Sequence, residues 1–437
     1  MALGGGVFLS ENKTLPGAYI NFVSAANASA GLSDRGTATL PLSLDWGGEG
    51  VMFTLEAADF YRDSLKVFGC PYTDEKLRAV REVFRNAKTV HFFRLNEGGA
   101  KAENAFARAK YPGEAGNLLR IVIKESEAGE GGGALYDVST YLGSTLVDTQ
   151  EAAASASELR DNGFVEWKAG ASLLETAQTP LTGGTNGAMT DAAYGRYLDA
   201  AESVSFNVMG CTSDSRTVKE LFAGFTRRMR DEAGKKFQCV VHDLLCDCEG
   251  VVSVKNTVKD GEAWALVPWV TGLSAGSGVN RSSDNRVYDG EYSVNAEYTQ
   301  AELSAGIEEG SFMFHMSDGE VCVLRDINTF VSVTDEKSRD FSDNQVMRVL
   351  DQIANDIAVI FAKKYLGKVS NDKSGRISLW NDIVKHHREL ERIRAIEDFD
   401  SEDVTVERGE TKKSVAVTDR ICPVCAMSQL YMTVYVM

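Results

Sequence analysis

No run in the 437 residues approaches the ~20 consecutive apolar side chains that cross a bilayer. The opening MALGGGVFLSENK also lacks the basic region and apolar stretch of a cleaved signal peptide. The expectation is a chain neither exported by such a signal nor inserted in a membrane. Positive charge is short as well: 46 Lys and Arg stand against 63 Asp and Glu, a formal charge of −17. Affinity for a phosphate backbone comes largely from Lys and Arg releasing counterions, so direct nucleic-acid binding is not expected. Eight cysteines are too few for a disulfide scaffold in a chain this long. Cys246 and Cys248 form C-x-C, and Cys422 and Cys425 form C-x-x-C. Zinc wants four ligands, and neither pair has a histidine at short range. These sulfurs are read as reduced thiols packed like small apolar groups, with no metal and no cofactor.

What is present is ordinary globular material, 43% hydrophobic and 25% charged, enough for about three domains. Residues 1–22 read as an arm, in which a glycine triplet and Pro16-Gly17 precede the strand-forming Ala18-Tyr19-Ile20-Asn21-Phe22-Val23. Strands are expected at Gly36–Leu42 and Val90–Leu95, with helical periodicity around Thr73–Asn86. From Gly98 the texture becomes short strands between turns, at Leu119–Lys124, Ala134–Val138, Thr145–Asp148 and Val165–Trp167. This predicts a small all-β insertion. Beyond Gly184 an α/β alternation follows: a helix at Asp191–Ala201, a strand at Val204–Val208 and a helix at Thr217–Ala233 capped by Ser213 or Asp214. Strands at Phe237–His242 and Val251–Lys255 complete it. Ser342-Asp343 caps a long helix through Phe361, stopped by Gly367, and Leu379–Ile393 marks a second. Strands are expected at Val404–Glu407, Ser414–Val417 and Leu430–Met437.

The last of these alternates cleanly. Leu430, Met432, Val434 and Val436 face one way, and Tyr431, Thr433 and Tyr435 the other. A long apolar strand left at a sheet edge invites aggregation, so it is expected to be inserted in a sheet, its own or a neighbour's.

Chemistry is hard to find. Gly272-Leu273-Ser274-Ala275-Gly276 matches G-x-S-x-G, but a nucleophile elbow needs a strand before the serine and a helix after it. Pro268 interrupts the strand side, and Ser277–Ser283 is loop material, so the match is read as incidental to a Gly/Ser loop. Gly183-Gly184-Thr185-Asn186-Gly187 lacks the Gly-Lys-Ser/Thr of a phosphate loop, and a tight turn with Asn186 or Thr190 capping the next helix accounts for it. Asp243, Asp247 and Glu249 do not follow a calcium-loop pattern and read as a solvated turn. No catalytic residue is assigned.

Six short motifs in order give the chain a resemblance. They are Asn12-Lys13-x-Leu15-Pro16-Gly17-Ala18-Tyr19-Ile20-Asn21-Phe22 and Arg35-Gly36-Thr37-Ala38-x-Leu40-Pro41 leading to Trp46-Gly47. Then come Ala109-Lys110-Tyr111-Pro112-Gly113 with Gly116-Asn117, Leu181-Thr182-Gly183-Gly184-Thr185-Asn186-Gly187, Ile396-Glu397-Asp398-Phe399-Asp400 with Asp403-Val404, and Tyr431-Met432-Thr433-Val434. Over nearly its whole length the sequence resembles contractile tail sheath proteins of myophages, defective prophages and phage-tail-like bacteriocins.

The resemblance implies a multi-domain α+β fold. After the arm at 1–22 it places an N-terminal domain at 23–97, a β-sandwich insertion at 98–178 and a subtilisin-like α/β domain without a catalytic triad at 179–335. An α+β C-terminal domain at 336–437 ends in an arm strand at 428–437. The implied function is a structural subunit, not an enzyme. It polymerises as stacked hexameric rings around a tail tube and contracts to drive the tube through the target envelope. The implied partners are further copies of the chain, a tail tube protein, and baseplate and tail terminator proteins. The implied location is a virion tail assembled in the bacterial host cytoplasm. Gly17, Ala18, Tyr19, Ile20, Asn21 and Phe22, with Leu430, Tyr431, Met432, Thr433, Val434, Tyr435 and Val436, are expected to be the inter-subunit arm strands. Strand addition of this kind takes its affinity and register from main-chain bonds. A serine hydrolase using Ser274 and a static tail or shell protein are the alternatives.

Overall fold

The computed structural model describes residues 32–126 and 134–437. Two strands open it, β1 (Thr37–Leu42) and β2 (Met52–Glu56), followed by α1 (Ala57–Phe68), α2 (Arg78–Phe84) and β3 (Thr89–Arg94). Six short strands come next: β4 (Ala107–Ala109), β5 (Leu119–Glu125), β6 (Tyr136–Leu142), β7 (Thr145–Ala153), β8 (Val165–Trp167) and β9 (Thr176–Pro180). The α/β alternation runs α3 (Asp191–Ala201), β10 (Val208–Gly210), α4 (Arg216–Asp231), β11 (Gln238–His242), β12 (Val251–Val254), α5 (Val267–Gly276), α6 (Gln300–Glu309) and β13 (Ser311–Phe312). A hairpin of β14 (Phe314–Ser317) and β15 (Glu320–Val323) closes it. The remainder is α7 (Asn344–Ile360), α8 (Lys373–Arg392), β16 (Ile396–Glu397), β17 (Val404–Arg408), β18 (Val415–Asp419) and β19 (Cys422–Pro423).

The chain forms two compact units. The larger holds residues 33–355, 393–397 and 422–437. Its centre is a seven-stranded sheet in the order β13-β12-β11-β10-β1-β3-β2, parallel except for β2 against β3. The sheet thus draws strands from both the 23–97 and the 179–335 stretches. All four residues of β12 and all five of β11 are buried, as expected of parallel strands covered on both faces. Phe60, Phe92, Val240, Trp269 and Phe312 belong to one core; Phe93, Tyr197, Phe222 and Val241 belong to another.

The β-rich stretch forms a four-stranded antiparallel sheet, β7-β6-β5-β9, beside the pair β4-β8. Its core holds Ile121, Val138 and Val165, and Trp46 enters from outside the stretch. The glycine motif at 183–187 does not cap a helix. Thr190 is the N-cap of α3 and makes no side-chain cap bond, while Asn186 donates to Asp45 Oδ1 at 2.8 Å and accepts the Glu114 amide at 3.0 Å. A Cβ at Gly187 would lie 2.0 Å from the Glu97 carbonyl, and one at Gly113 would lie 1.9 Å from that of Asp45. Glycine is required where backbones approach this closely.

The described part of the other unit comprises Leu32, residues 356–392 and residues 398–421. The hairpin β17–β18 lies along α8, and Trp380 Nε1 donates to the Val404 carbonyl at 2.8 Å. Two fully buried neighbours on α8 tie the unit together: His386 Nε2 meets Asp356 at 2.9 Å, and His387 Nε2 meets Asp419 at 2.6 Å.

Several expectations shift. Pro268 does not interrupt a strand; it lies in the first turn of α5, where its missing N–H costs nothing. Sequence reading passed over α1, α5, α6 and the β14–β15 hairpin. The strand expected at Val204–Val208 is β10, later by a few residues, and Ser215 rather than Ser213 or Asp214 is the N-cap of α4. Among the described residues no helix is long and apolar enough to cross a membrane.

Candidate functional site

The C-terminal arm is built from its root outward. In the larger unit, β16 pairs antiparallel with β19, setting Ile396 opposite Pro423 and Glu397 opposite Cys422. The ladder runs one step further, as the Val424 amide donates to the Ala395 carbonyl at 3.0 Å. Gln345, in the first turn of α7 and 2% exposed, then grips the chain: its Nε2 donates to the Val424 carbonyl at 2.9 Å and its Oε1 accepts the Ala426 amide at 3.0 Å.

That glutamine is held rigidly. Asp343 Oδ1 accepts the Gln345 amide at 2.8 Å and so caps α7. One residue on, Asn344 donates to Asp326 Oδ1 at 3.0 Å, and Arg348 donates to Asp326 Oδ2 at 2.7 Å with both side chains 1% exposed. Burial alone would push the Asp326 carboxyl up, but Arg348, Asn344 and the Ser283 amide outweigh it and hold it below the usual carboxylate range. Asp343 shifts upward, because burial and the charge of Asp326 exceed what its helix amides return. A buried pair of this kind costs much to break, since one partner removed leaves a charge without compensation.

Past Ala426 the character changes. Among the described residues no main-chain hydrogen bond to another backbone group involves a residue beyond Val424. Leu430, Tyr431, Met432, Val434, Tyr435 and Val436 are 69% to 94% exposed, and Thr433 is exposed too. The strand expected at Leu430–Met437 is therefore not formed among the described residues. The strand-forming side chains are there, but among the described residues no second backbone satisfies their N–H and C=O groups. Gly17, Ala18, Tyr19, Ile20, Asn21 and Phe22 lie outside the described residues.

The other candidates find structural employment. Ser274 sits inside α5, 1% exposed, and not on a Gly/Ser loop. The glycines around it serve packing: a Cβ at Gly272 would lie 2.3 Å from the Val83 carbonyl, and one at Gly276 would lie 2.1 Å from that of Asn86. The G-x-S-x-G match is a close approach of α5 to α2 and the turn after it. Asp243 and Asp247 are exposed, as a solvated turn requires, but Asp247 also braces a loop: its Oδ1 accepts the amides of Val331 and Ser332, which pull its pKa down. Glu249 pairs with Lys337 at 2.7 Å. Among the described residues no group of three or more His, Cys, Asp or Glu is placed to hold a metal ion. Four cysteines are buried and two half-buried, but Cys422 and Cys425 are exposed, contrary to their expected packing. Gln345, which sets the arm's exit, was missed; nothing in the sequence distinguishes it from any glutamine in a helix's first turn.

Comparison with known proteins bears on the fold. Models of four phage tail sheath regions match in order: the domain III N-terminal region over 35–95, the beta-sandwich domain over 94–186, the central domain over 187–329 and the C-terminal domain over 336–437. Phage-like element PBSX protein XkdK of Bacillus subtilis is 30% identical, over 99% of this chain and 100% of that protein. The crystal structure of a sheath tail protein from Desulfitobacterium hafniense is 36% identical with a TM-score of 0.80, covering 95% of this chain and 99% of that one. The anti-feeding prophage helical sheath in its contracted state shares the fold at 13% identity, with a TM-score of 0.54 and coverage of 96% and 99%. The fold is multi-domain α+β with a β-sandwich domain, and the chain belongs to the phage tail sheath protein family.

Proposed function

We propose that this sheath protein polymerises as stacked hexameric rings around a tail tube, and that adjoining copies are held by exchanged arm strands while the sheath contracts. The observation that carries the reading is the exposed segment Leu430–Val436, strand-forming and without a backbone partner among the described residues, leaving a clamp at Gln345. Eleven residues beyond Ala426, fully extended, reach about 36–40 Å, far enough to enter a neighbour. The hairpin β17–β18, with no third strand among the described residues, has edges of the kind strand addition uses. Residues 17–22 would add a second strand. Each main-chain bond is worth only ~0.5–1.5 kcal/mol net, so a mesh of arms yields cumulatively. Such head-to-tail contact propagates as an open helix unless rotation closes it. The likeness to a sheath solved in its contracted state supports a contractile role.

The tube protein would meet the 356–421 unit. Lys363, Lys364, Lys368, Lys373 and Arg376 stand there against Asp372 alone between 361 and 376, in a chain of net charge −17, and Phe361, Leu366, Val369 and Ile377 are exposed among them. Baseplate and tail terminator proteins would bound the polymer in a virion tail assembled in the host cytoplasm. The α/β stretch at 179–335, which contributes β10 to β13 to the seven-stranded sheet, is offered as the subtilisin-like domain. A non-enzymatic role fits Ser274, buried in a helix rather than raised on an elbow.

Deleting the last eight residues tests the reading. The expected product is folded and soluble but does not form tubes in electron micrographs. Tubes of unchanged length and yield from the truncated chain would defeat it, and closed rings from the full chain would favour a static shell.

A further inference from the structure

Cys422 and Cys425 are the two exposed cysteines of the eight, and they bracket the root of the arm. Cys422 lies in β19 opposite Glu397, and the ladder continues through the Val424 amide to Ala395. Gln345 then holds the Val424 carbonyl and the Ala426 amide. The segment is extended, and three extended steps cover about 10 Å. A disulfide needs the two Cα atoms within ~7 Å, so the bridge and the clamped geometry exclude each other. The residues between are Pro423 and Val424. Proline in the second position of a four-residue turn presets the bend that brings first and fourth together.

We infer that Cys422 and Cys425 form a redox-sensitive pair, whose joining bends the Cys-Pro-Val-Cys segment, withdraws Val424 from Ala395 and Gln345, and releases the arm root. The oxidant is a low-molecular-weight disulfide. The Cys422 thiolate attacks one of its sulfurs and expels one thiol. The Cys425 thiolate then attacks the mixed disulfide at the Cys422 sulfur and expels the second thiol. Two S–H bonds are lost, one S–S bond forms in the protein, and the reagent is reduced to two thiols. Any effect of the bridge on assembly rests on the arm reading above.

The test uses the full-length, unassembled protein incubated with glutathione disulfide. The expected result is a peptide spanning 422–425 that has lost two hydrogen atoms. Cys422→Ser and Cys425→Ser should each abolish that loss. In the bridged wild type the Val424 amide should exchange with deuterium roughly tenfold faster or more, once its bond to Ala395 is gone. Persisting glutathione adducts, covalent dimers through either cysteine, or a bridge that leaves Val424 exchange unchanged would each overturn the proposal. Polymerisation is scored separately. A bridged chain with a released root that still forms tubes argues against the arm reading and leaves the redox pair standing.

Discussion

Gln345 donates to the Val424 carbonyl at 2.9 Å, and this bond aims the last part of the chain. Its geometry is inherited from Asp326 and Arg348 through the first turn of α7. The arm therefore leaves a fixed point, and the order of its root owes nothing to the exposed residues that follow.

Gln345→Ala should lower stability by about 1–3 kcal/mol, two net hydrogen bonds' worth, and leave the fold intact. Limited proteolysis checks it, with cleavage near Val424–Met427 expected several-fold faster than in the wild type. Equal cleavage rates would mean that the β16–β19 pair alone fixes the root.

The glycines of α5 should matter where its serine does not. Gly276→Val puts side-chain atoms where a Cβ alone would sit 2.1 Å from the Asn86 carbonyl, an overpacking that costs about 1–3 kcal/mol or more. Ser274→Ala should change the melting temperature little and leave tube formation unaltered. Thermal unfolding of the two variants side by side decides the point.

Glu82 supplies a pH dependence. It is fully buried on α2, accepts from the Tyr288 hydroxyl at 2.8 Å and the Glu291 amide at 2.6 Å, and burial raises its pKa from 4.5 to about 7. An acid whose folded value is raised contributes stability that is complete below its unfolded value and is lost as pH rises through its folded one. Between about pH 4.5 and 8 the wild type should thus lose up to about 3 kcal/mol from this group. Glu82→Gln should flatten that fall, measured by urea unfolding across the range. Parallel pH profiles for the two proteins would contradict it.

Reversing exposed charge at 361–376 should separate the tube partner from self-assembly. Lys363→Glu with Lys373→Glu should weaken co-sedimentation with purified tube about tenfold at low salt, two exposed pairs at ~0.5–1 kcal/mol each. Sheath polymerisation without tube should persist. An unchanged tube affinity would move the contact elsewhere.

Local patterns survived folding where neighbours agree with them. Asp191–Ala201 is a helix over the expected residues, and Asp343 caps α7 as expected. The short-strand texture after Gly98 is a four-stranded sheet with a two-stranded companion. For the helix and the cap, a period or one side chain decides the structure with partners a few residues away. The sheet also joins distant strands, with Arg120 opposite Pro180 and Ala107 opposite Trp167. Where Val267–Gly276 is concerned, periodicity fails because the helix is buried on nearly every side, so no polar face marks it.

From its residues alone the chain declared its acidity, its alternating C-terminal segment and the motif order that marks a sheath protein. Tertiary structure alone decided that Gly272 and Gly276 serve helix packing, that Asp247 and Asn186 brace loops, and that Gln345 holds Val424 from 79 positions away. The difference is one of range. Periodicity and turn chemistry act over a few residues, whereas close backbone approach and buried side-chain bonds exist only after distant segments meet.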